Sequence, residues 1–277
     1  MDAHALALTC PRCHAPLALR PGAYACGPCR ETWRVRDGVP SFVDHVALGG
    51  VERLMHTIYD WLAPLHDPIL ETLLPVLQGF PVAATRDAYF RRLELESLAA
   101  ETQGRRARIL DIGCGTGGNL PFLLERLPRG LDVELWALDF SAGMLALYRR
   151  RLERYPPGTM RLVHGDAHAL PFAAGSFDRV FHVGGIAAYR APARALAEMA
   201  RVARRGTPIV VVDEQLDPRA ELGWLRRLAF RAVTFYDLDP HAPRECLPAD
   251  AVDVLEEQAS PFYYCLRFRT VAGSGGR

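Results

Sequence analysis

Along the second half of the chain, compact apolar runs alternate with longer stretches in which apolar residues return every third or fourth position. Ala107 to Ile112, Val133 to Leu138, Met160 to His164, Arg179 to Val183 and the β-branched Ile209 to Val212 predict buried strands. Between the first two, Leu120, Leu123, Leu124 and Leu127 recur at i, i+3, i+4 and i+7, predicting a helix from about Asn119. Pro121 is tolerated in its first turn. A second helix carries Met144, Leu147 and Tyr148 behind a Ser141 cap, and a third runs from about Ala193 to Arg204. Such alternation predicts βαβ units and a mainly parallel sheet, so an α/β fold with helices on both faces. Phe262 to Phe268 adds a further strand, expected to be antiparallel.

Upstream the pattern changes twice. Residues 1–45 are rich in Cys, Pro and Gly and poor in helical periodicity. Residues 46–105 read as helices, with Leu54, Ile58, Trp61, Leu62 and Leu65 at helical spacing, and form a lid or linker. Residues 106–272 hold the strand–helix alternation, and 273–277 (Gly-Ser-Gly-Gly-Arg) read as a flexible tail.

Composition narrows the function classes. All 33 basic residues are Arg, with no Lys, which excludes Schiff-base and lysine general-base chemistry. The formal net charge of +1 implies no strong polyanion-binding field. Arg149, Arg150, Arg151 and Arg154 read as the solvated face of a helix. No run approaches the roughly 18 apolar residues a membrane span needs. Met1 to Leu8 is too short and too weakly apolar for a secretory signal, so a cytoplasmic location is expected.

The candidate site begins where the first strand ends, at Asp111-Ile112-Gly113-Cys114-Gly115-Thr116-Gly117-Gly118. Glycines there let the backbone turn tightly and approach a ligand, and the following helix offers free N–H groups. On its own the loop is ambiguous, because Gly113, Gly115 and Gly118 also fit the G-x-G-x-x-G of dinucleotide binding. Three acidic positions favour S-adenosylmethionine (SAM) over NAD. Asp111 can reach the cationic methionine end, Asp139 ends the second strand where it can hold both ribose hydroxyls, and Asp166 ends the third where it can accept from the adenine amino group.

These segments resemble the class I SAM-dependent methyltransferases. The resemblance rests on Asp111 to Gly117, Leu138-Asp139-Phe140-Ser141 with Met144, Gly165-Asp166-Ala167, and Leu170-Pro171-Phe172 with Ser176-Phe177-Asp178-Arg179-Val180. Glu198-Met199-Ala200-Arg201-Val202 completes it, so that it covers about residues 105–215, and the ubiquinone/menaquinone-biosynthesis subgroup is most similar. It implies a Rossmann-like sheet, with Gly113, Cys114, Gly115, Thr116 and Gly117 under the methionine part and Asp139 on the ribose. Asp166, Ala167 and Phe140 would then lie at the adenine, and Met144, His182 and Val183 would line the cofactor. The family's usual Pro-Gly-Gly before the fifth strand is here Arg205-Gly206-Thr207, a turn expected to pack away from the cofactor.

A second ligand is implied at the N-terminus. Cys10, Cys13, Cys26 and Cys29 form C-x₂-C-x₁₂-C-x₂-C, two knuckles that suit a tetrahedral Cys₄ zinc. Four thiolates leave no open position, so the zinc is expected to be structural. Pro16-Leu17, Tyr24, Trp33 and Asp37 to Phe42 resemble small zinc ribbons that activate methyltransferases, and a similar ribbon is fused to some ribosomal RNA guanine methyltransferases.

The acceptor is less legible. Tyr59, Trp61 and Tyr189 are candidate substrate contacts, with the insert from Trp224 to Tyr236, and His182 is a candidate general base at the end of the fourth strand. The Asn-Pro-Pro-aromatic motif of amino-group methylation is absent, since His182-Val183-Gly184-Gly185-Ile186 occupies that position. Three readings stay open: a small, largely apolar metabolite such as a quinone, lipid or natural-product precursor; RNA, contacted through the ribbon; and a SAM-binding module without catalysis.

Overall fold

In the computed structural model, the described residues are 6–43, 74–234, 237 and 239–271. Tyr59, Trp61 and the tail 273–277 lie outside them, as do residues 46–73 of the 46–105 lid. The ribbon holds four strands in the order β1 (Ala18–Arg20), β2 (Ala23–Ala25), β3 (Thr32–Arg36) and β4 (Val39–Pro40). The described part of the lid is helical: α1 (Leu74–Gln78), α2 (Val82–Arg92), a 3₁₀ turn and α3 (Leu98–Thr102).

Then comes the predicted alternation. It runs β5 (Ala107–Ile112), α4 (Leu120–Arg126), β6 (Val133–Asp139), α5 (Ala142–Leu152), β7 (Arg161–His164), β8 (Arg179–Val183), α6 (Pro192–Val202) and β9 (Ile209–Glu214). Helix α7 (Trp224–Val233) and the hairpin β10 (Ala251–Ser260) and β11 (Tyr263–Thr270) follow. The strand expected at Phe262 is β11, antiparallel to β9, and β10 pairs beyond it. Strand β10 escapes prediction because its residues are mostly half-buried and its apolar alternation breaks at a register shift between Val252 and Leu255.

The large sheet has the order β10-β11-β9-β8-β5-β6-β7. Strand β5 is parallel to both β6 and β8, so the chain reverses its direction of winding there. Crevices for ligands open at the carboxyl ends of strands flanking such a switch point.

Side chains alternate between two packed faces. Leu110, Trp136, Leu138, Val180 and Val211 pack with Leu196 and Met199 of α6 and with Leu8, Trp33 and Phe42 of the ribbon. Ile109, Leu135, Ala137, Phe181 and Val210 pack instead with Tyr89 and Phe90 of α2, Leu120 and Leu123 of α4, and Tyr148 of α5. The ribbon therefore shares the main core. The Phe42 amide donates to the His164 carbonyl at 2.7 Å and the Thr9 amide to the Pro171 carbonyl at 2.9 Å. Among the described residues no helix is long and apolar enough to cross a membrane.

Candidate active site

The loop after β5 is built around backbone conformations that side chains disfavour. Gly113, Gly115 and Gly117 all have positive φ, at 66°, 53° and 80°. A Cβ on Gly117 would lie 2.2 Å from the Tyr148 ring of α5, so this glycine lets the loop press onto that helix. The Gly113 and Cys114 amides both donate to the Leu138 carbonyl, which ties the loop to the end of β6. Cys114 and Thr116 are buried within it.

Asp139 organises the next corner. Its Oδ2 accepts from the Gly115 amide at 2.7 Å and its Oδ1 from the Ser141 amide at 2.8 Å. Ser141 caps α5 as expected, its hydroxyl accepting from the buried Met144 amide at 3.0 Å. Asp111 lies on the α2–α4–α5 side of β5, and its Oδ1 is buried without a hydrogen-bond partner. Burial first, and the Asp139 carboxylate second, push the Asp111 carboxyl well above the usual range. A buried carboxyl whose proton affinity is raised beside a second carboxylate, at the foot of a glycine loop, is a site that a cation relieves. A pyrophosphate would add to the repulsion between these carboxyls, and the cationic end of a ligand would reduce it.

The far side of the crevice is anchored by Asp166. Burial opposes ionisation of this carboxyl, yet hydrogen bonds from His168 and Arg190 hold it below the usual carboxylate range. His168 Nδ1 lies 2.6 Å from Oδ1 and an Arg190 guanidinium nitrogen 2.6 Å from Oδ2, while Ala167 is buried between them in sequence. The Arg190 pair ties the loop after β8 to the turn after β7. Asp213 at the end of β9 holds the same loop from the other side, accepting from the Gly185 and Ala187 amides at 2.9 Å. Sequence reading missed His168, Arg190 and Asp213. The first lies two residues beyond Asp166, where an Asx-type turn was recoverable; the others depend on pairs made only in the fold.

His182, the penultimate residue of β8, has no solvent exposure. Its Nδ1 lies 2.8 Å from the Ile112 carbonyl, an acceptor, so this nitrogen carries the proton and Nε2 is left as a buried acceptor without a partner. Burial lowers the imidazole's proton affinity, against an opposing pull from Asp213. Tyr189 stacks at 5.3 Å from the His182 ring and 5.2 Å from the His168 ring, linking the ends of β7 and β8. Val183, also predicted at the cofactor, is half-buried and packs with the α2–α4–α5 side.

The four N-terminal cysteines converge as predicted. Their sulfurs all lie within 4.8 Å of one another, with Cys10 to Cys29 at 3.9 Å and Cys13 to Cys26 at 3.5 Å. A tetrahedral ion with bonds of about 2.3 Å requires sulfur separations near about 3.8 Å, so the residues present fit zinc. The Cys29 amide also donates to the Cys26 sulfur at 3.4 Å, as in a knuckle.

Residues 109–206 match the family model described as Methyltransferase domain. Two demethylmenaquinone methyltransferases are similar. That of Renibacterium salmoninarum is 40% identical over 124 residues, covering 45% of this chain and 47% of its own. That of Beutenbergia cavernae is 36% identical over 171 residues, covering 62% and 64%. The chain thus spans between about half and just under two thirds of the length of these curated relatives. Among solved structures, the [4+2]-cyclase SpnF shares the fold at 17% identity, with a TM-score of 0.50 over 86% of this chain and 100% of its own. The segment from 109 to 206, which carries the glycine loop and the acidic positions, is thus similar to a methyltransferase domain.

Proposed function

We propose that this protein is a SAM-dependent methyltransferase acting on a small, largely apolar acceptor, with a structural zinc in its N-terminal ribbon. The single observation that carries the cofactor assignment is the pairing of Asp111 and Asp139 across the Gly113–Gly117 loop. When bound, SAM supplies an activated methyl group on a sulfonium. The residues of the chain need only bind, orient and exclude water, which supplies most of the rate when a reactive pair is held in line.

In this reading Asp111 faces the cationic methionine end and the glycine loop lies beneath it. Asp139 exchanges part of its contact with the Gly115 amide for the ribose hydroxyls. Asp166, Ala167 and Phe140 take the adenine end. His182 keeps its Nδ1 proton on the Ile112 carbonyl and offers Nε2 toward the Tyr189 side of the crevice, where it can accept a proton from an acidic acceptor group. Tyr189 forms a wall of the acceptor pocket, with Tyr59 and Trp61 of the lid as its remaining candidates.

The names of the similar quinone methyltransferases support an apolar acceptor. RNA is less well supported, because the net charge is only +1 and Arg12 of the first cysteine knuckle is paired with Glu31 at 2.9 Å. The test is incubation of radiolabelled SAM and the protein with lysate separated into lipid-soluble, RNA and protein pools. Label in the lipid-soluble pool is expected. Label confined to RNA would transfer the assignment to the ribbon-guided alternative, and SAM binding without label in any pool would leave a non-catalytic module.

A further inference from the structure

Helix α7 lies in the connection that leaves the carboxyl end of β9, the same end of the parallel strands at which the Asp111 loop opens. It is fastened by one side only. Phe230 is buried against Phe262 in the β10–β11 turn, with rings 5.2 Å apart, and Leu77 of α1 and Leu222 pack around them. The opposite side presents Trp224, Leu225 and Leu228, exposed at 72%, 62% and 60%. Val76 on α1, a helix that packs against α7, is exposed at 73%. Four of the six strongly exposed large apolar residues among the described ones thus fall on this one helix pair. The other two, Leu19 and Val271, stand singly, whereas a cluster of this kind marks an interaction site.

The charge on the helix is of one sign. Its sequence Trp-Leu-Arg-Arg-Leu-Ala-Phe-Arg-Ala-Val carries Arg226, Arg227 and Arg231 and no acidic residue. All three arginines are exposed, and none is paired with a carboxylate among the described residues. Arg226 lies over Gly79 and the Arg227 guanidinium donates to the Leu222 carbonyl, so both stay beside the apolar stripe. A Trp at the start of a helix, leucines one turn on and unpaired arginines flanking them are the features of a segment that lies in a bilayer interface. The apolar stripe enters the acyl boundary and the arginines meet anionic headgroups.

We infer that the exposed face of α7, with Val76 beside it, docks the protein onto an anionic lipid bilayer. The docking surface stands on its own observations and needs no particular acceptor. On the proposed reading of the site it has one consequence: the crevice mouth is held near a reservoir of apolar molecules.

The experiment is flotation of the full chain with two vesicle preparations, phosphatidylcholine alone and phosphatidylcholine with about 30% phosphatidylglycerol. It is run for the wild type and for W224S/L225S/L228S, whose changes lie on the exposed side. Far-UV circular dichroism and the SAM-induced melting shift check that the variant is folded. The wild type is expected to float with the anionic vesicles, at least about tenfold less with neutral ones and at high salt, and the variant with neither. Equal flotation of wild type and variant, or none for either, overturns the docking surface. So does a wild-type dimer that the variant reduces to monomer without vesicle binding, which would make a second copy the occupant. Vesicle binding needs no methyl donor, so failure of SAM binding in a protein that still floats would count against the proposed function alone.

Discussion

The Ser41 hydroxyl and the His164 imidazole lie 2.8 Å apart, joining the last strand of the cysteine ribbon to the end of β7 across 123 residues of chain. The other ring nitrogen of His164 lies 2.9 Å from the Phe140 carbonyl. Because that carbonyl only accepts, Nε2 carries the proton and Nδ1 accepts from Ser41. The ribbon is therefore two hydrogen bonds from the residue expected beside the adenine. Stripping zinc with a chelator is expected to weaken SAM binding about tenfold by titration calorimetry and to lower Tm. Ser41→Ala, which removes one partly buried hydrogen bond, should destabilise by about 1 kcal/mol with zinc still bound. An unchanged SAM affinity after complete metal removal would show that the two ligands are uncoupled.

Gly117→Ala tests the loop's contact with α5. The added methyl meets the Tyr148 ring at 2.2 Å and the residue has φ 80°, so clash and backbone strain combine. A loss of about 2–4 kcal/mol is expected in urea unfolding, together with weaker SAM binding. Adding Tyr148→Leu should restore only part of the stability, since it removes the clash and leaves the strain. Full recovery would show that the clash is the whole effect.

Asp111 gives a pH dependence whose sign is fixed. Its carboxyl is raised in the folded state by burial and by Asp139. Between the usual carboxylate pKa and the raised one, the unfolded chain binds fewer protons than the folded one, so stability falls as pH rises through that window. Asp111→Asn removes this slope. It should be more stable than wild type near neutral pH without ligand, and should bind SAM at least about tenfold more weakly. Thermal melts from pH 4 to 8, with and without SAM, measure both. A variant less stable than wild type at neutral pH would mean that Asp111 is ionised and partnered in the free protein.

Arg179 anchors the segment before β5 onto the sheet. Its side chain is fully buried, and it donates to the Leu93 and Glu94 carbonyls, to Ser97 and to both oxygens of Glu101. Hydrogen bonding from this guanidinium is the chief cause holding Glu101 below its ordinary value. Arg179→Met leaves those acceptors unpaired and should cost about 3–5 kcal/mol in denaturant unfolding. Lysine cannot reproduce the fork, so Arg179→Lys should recover little.

The parallel strands were legible because each is largely buried and reads as a short apolar run; Ala107–Ile112 and Arg179–Val183 match to the residue. The Ser141 cap and the cysteine cluster were legible because local spacing alone determines them. Arg179, Arg190 and Asp213 were not, since each acts through partners that only the tertiary fold brings close. The ribbon was read as a separate unit. Its apolar residues are too few and scattered to show a periodic face, yet Leu8, Trp33 and Phe42 belong to the main core. Helix α7 was seen only as an aromatic insert, and its one-sided burial needed the Phe262 contact to be recognised.

The placement of Ser41 and Phe42 along β7 also bears on how the chain survives its own synthesis. Strand β7 is the last strand of a seven-stranded sheet, and an uncovered edge of that kind offers a row of backbone groups to any neighbouring molecule. The Ser41–His164 bridge and the Phe42 amide occupy the carboxyl-terminal end of that row. The cysteine ribbon thus covers one end of the β7 edge. Constructions that begin after it would expose both the β7 edge and the apolar surface that Leu8, Trp33 and Phe42 cover, and would collect in the insoluble fraction.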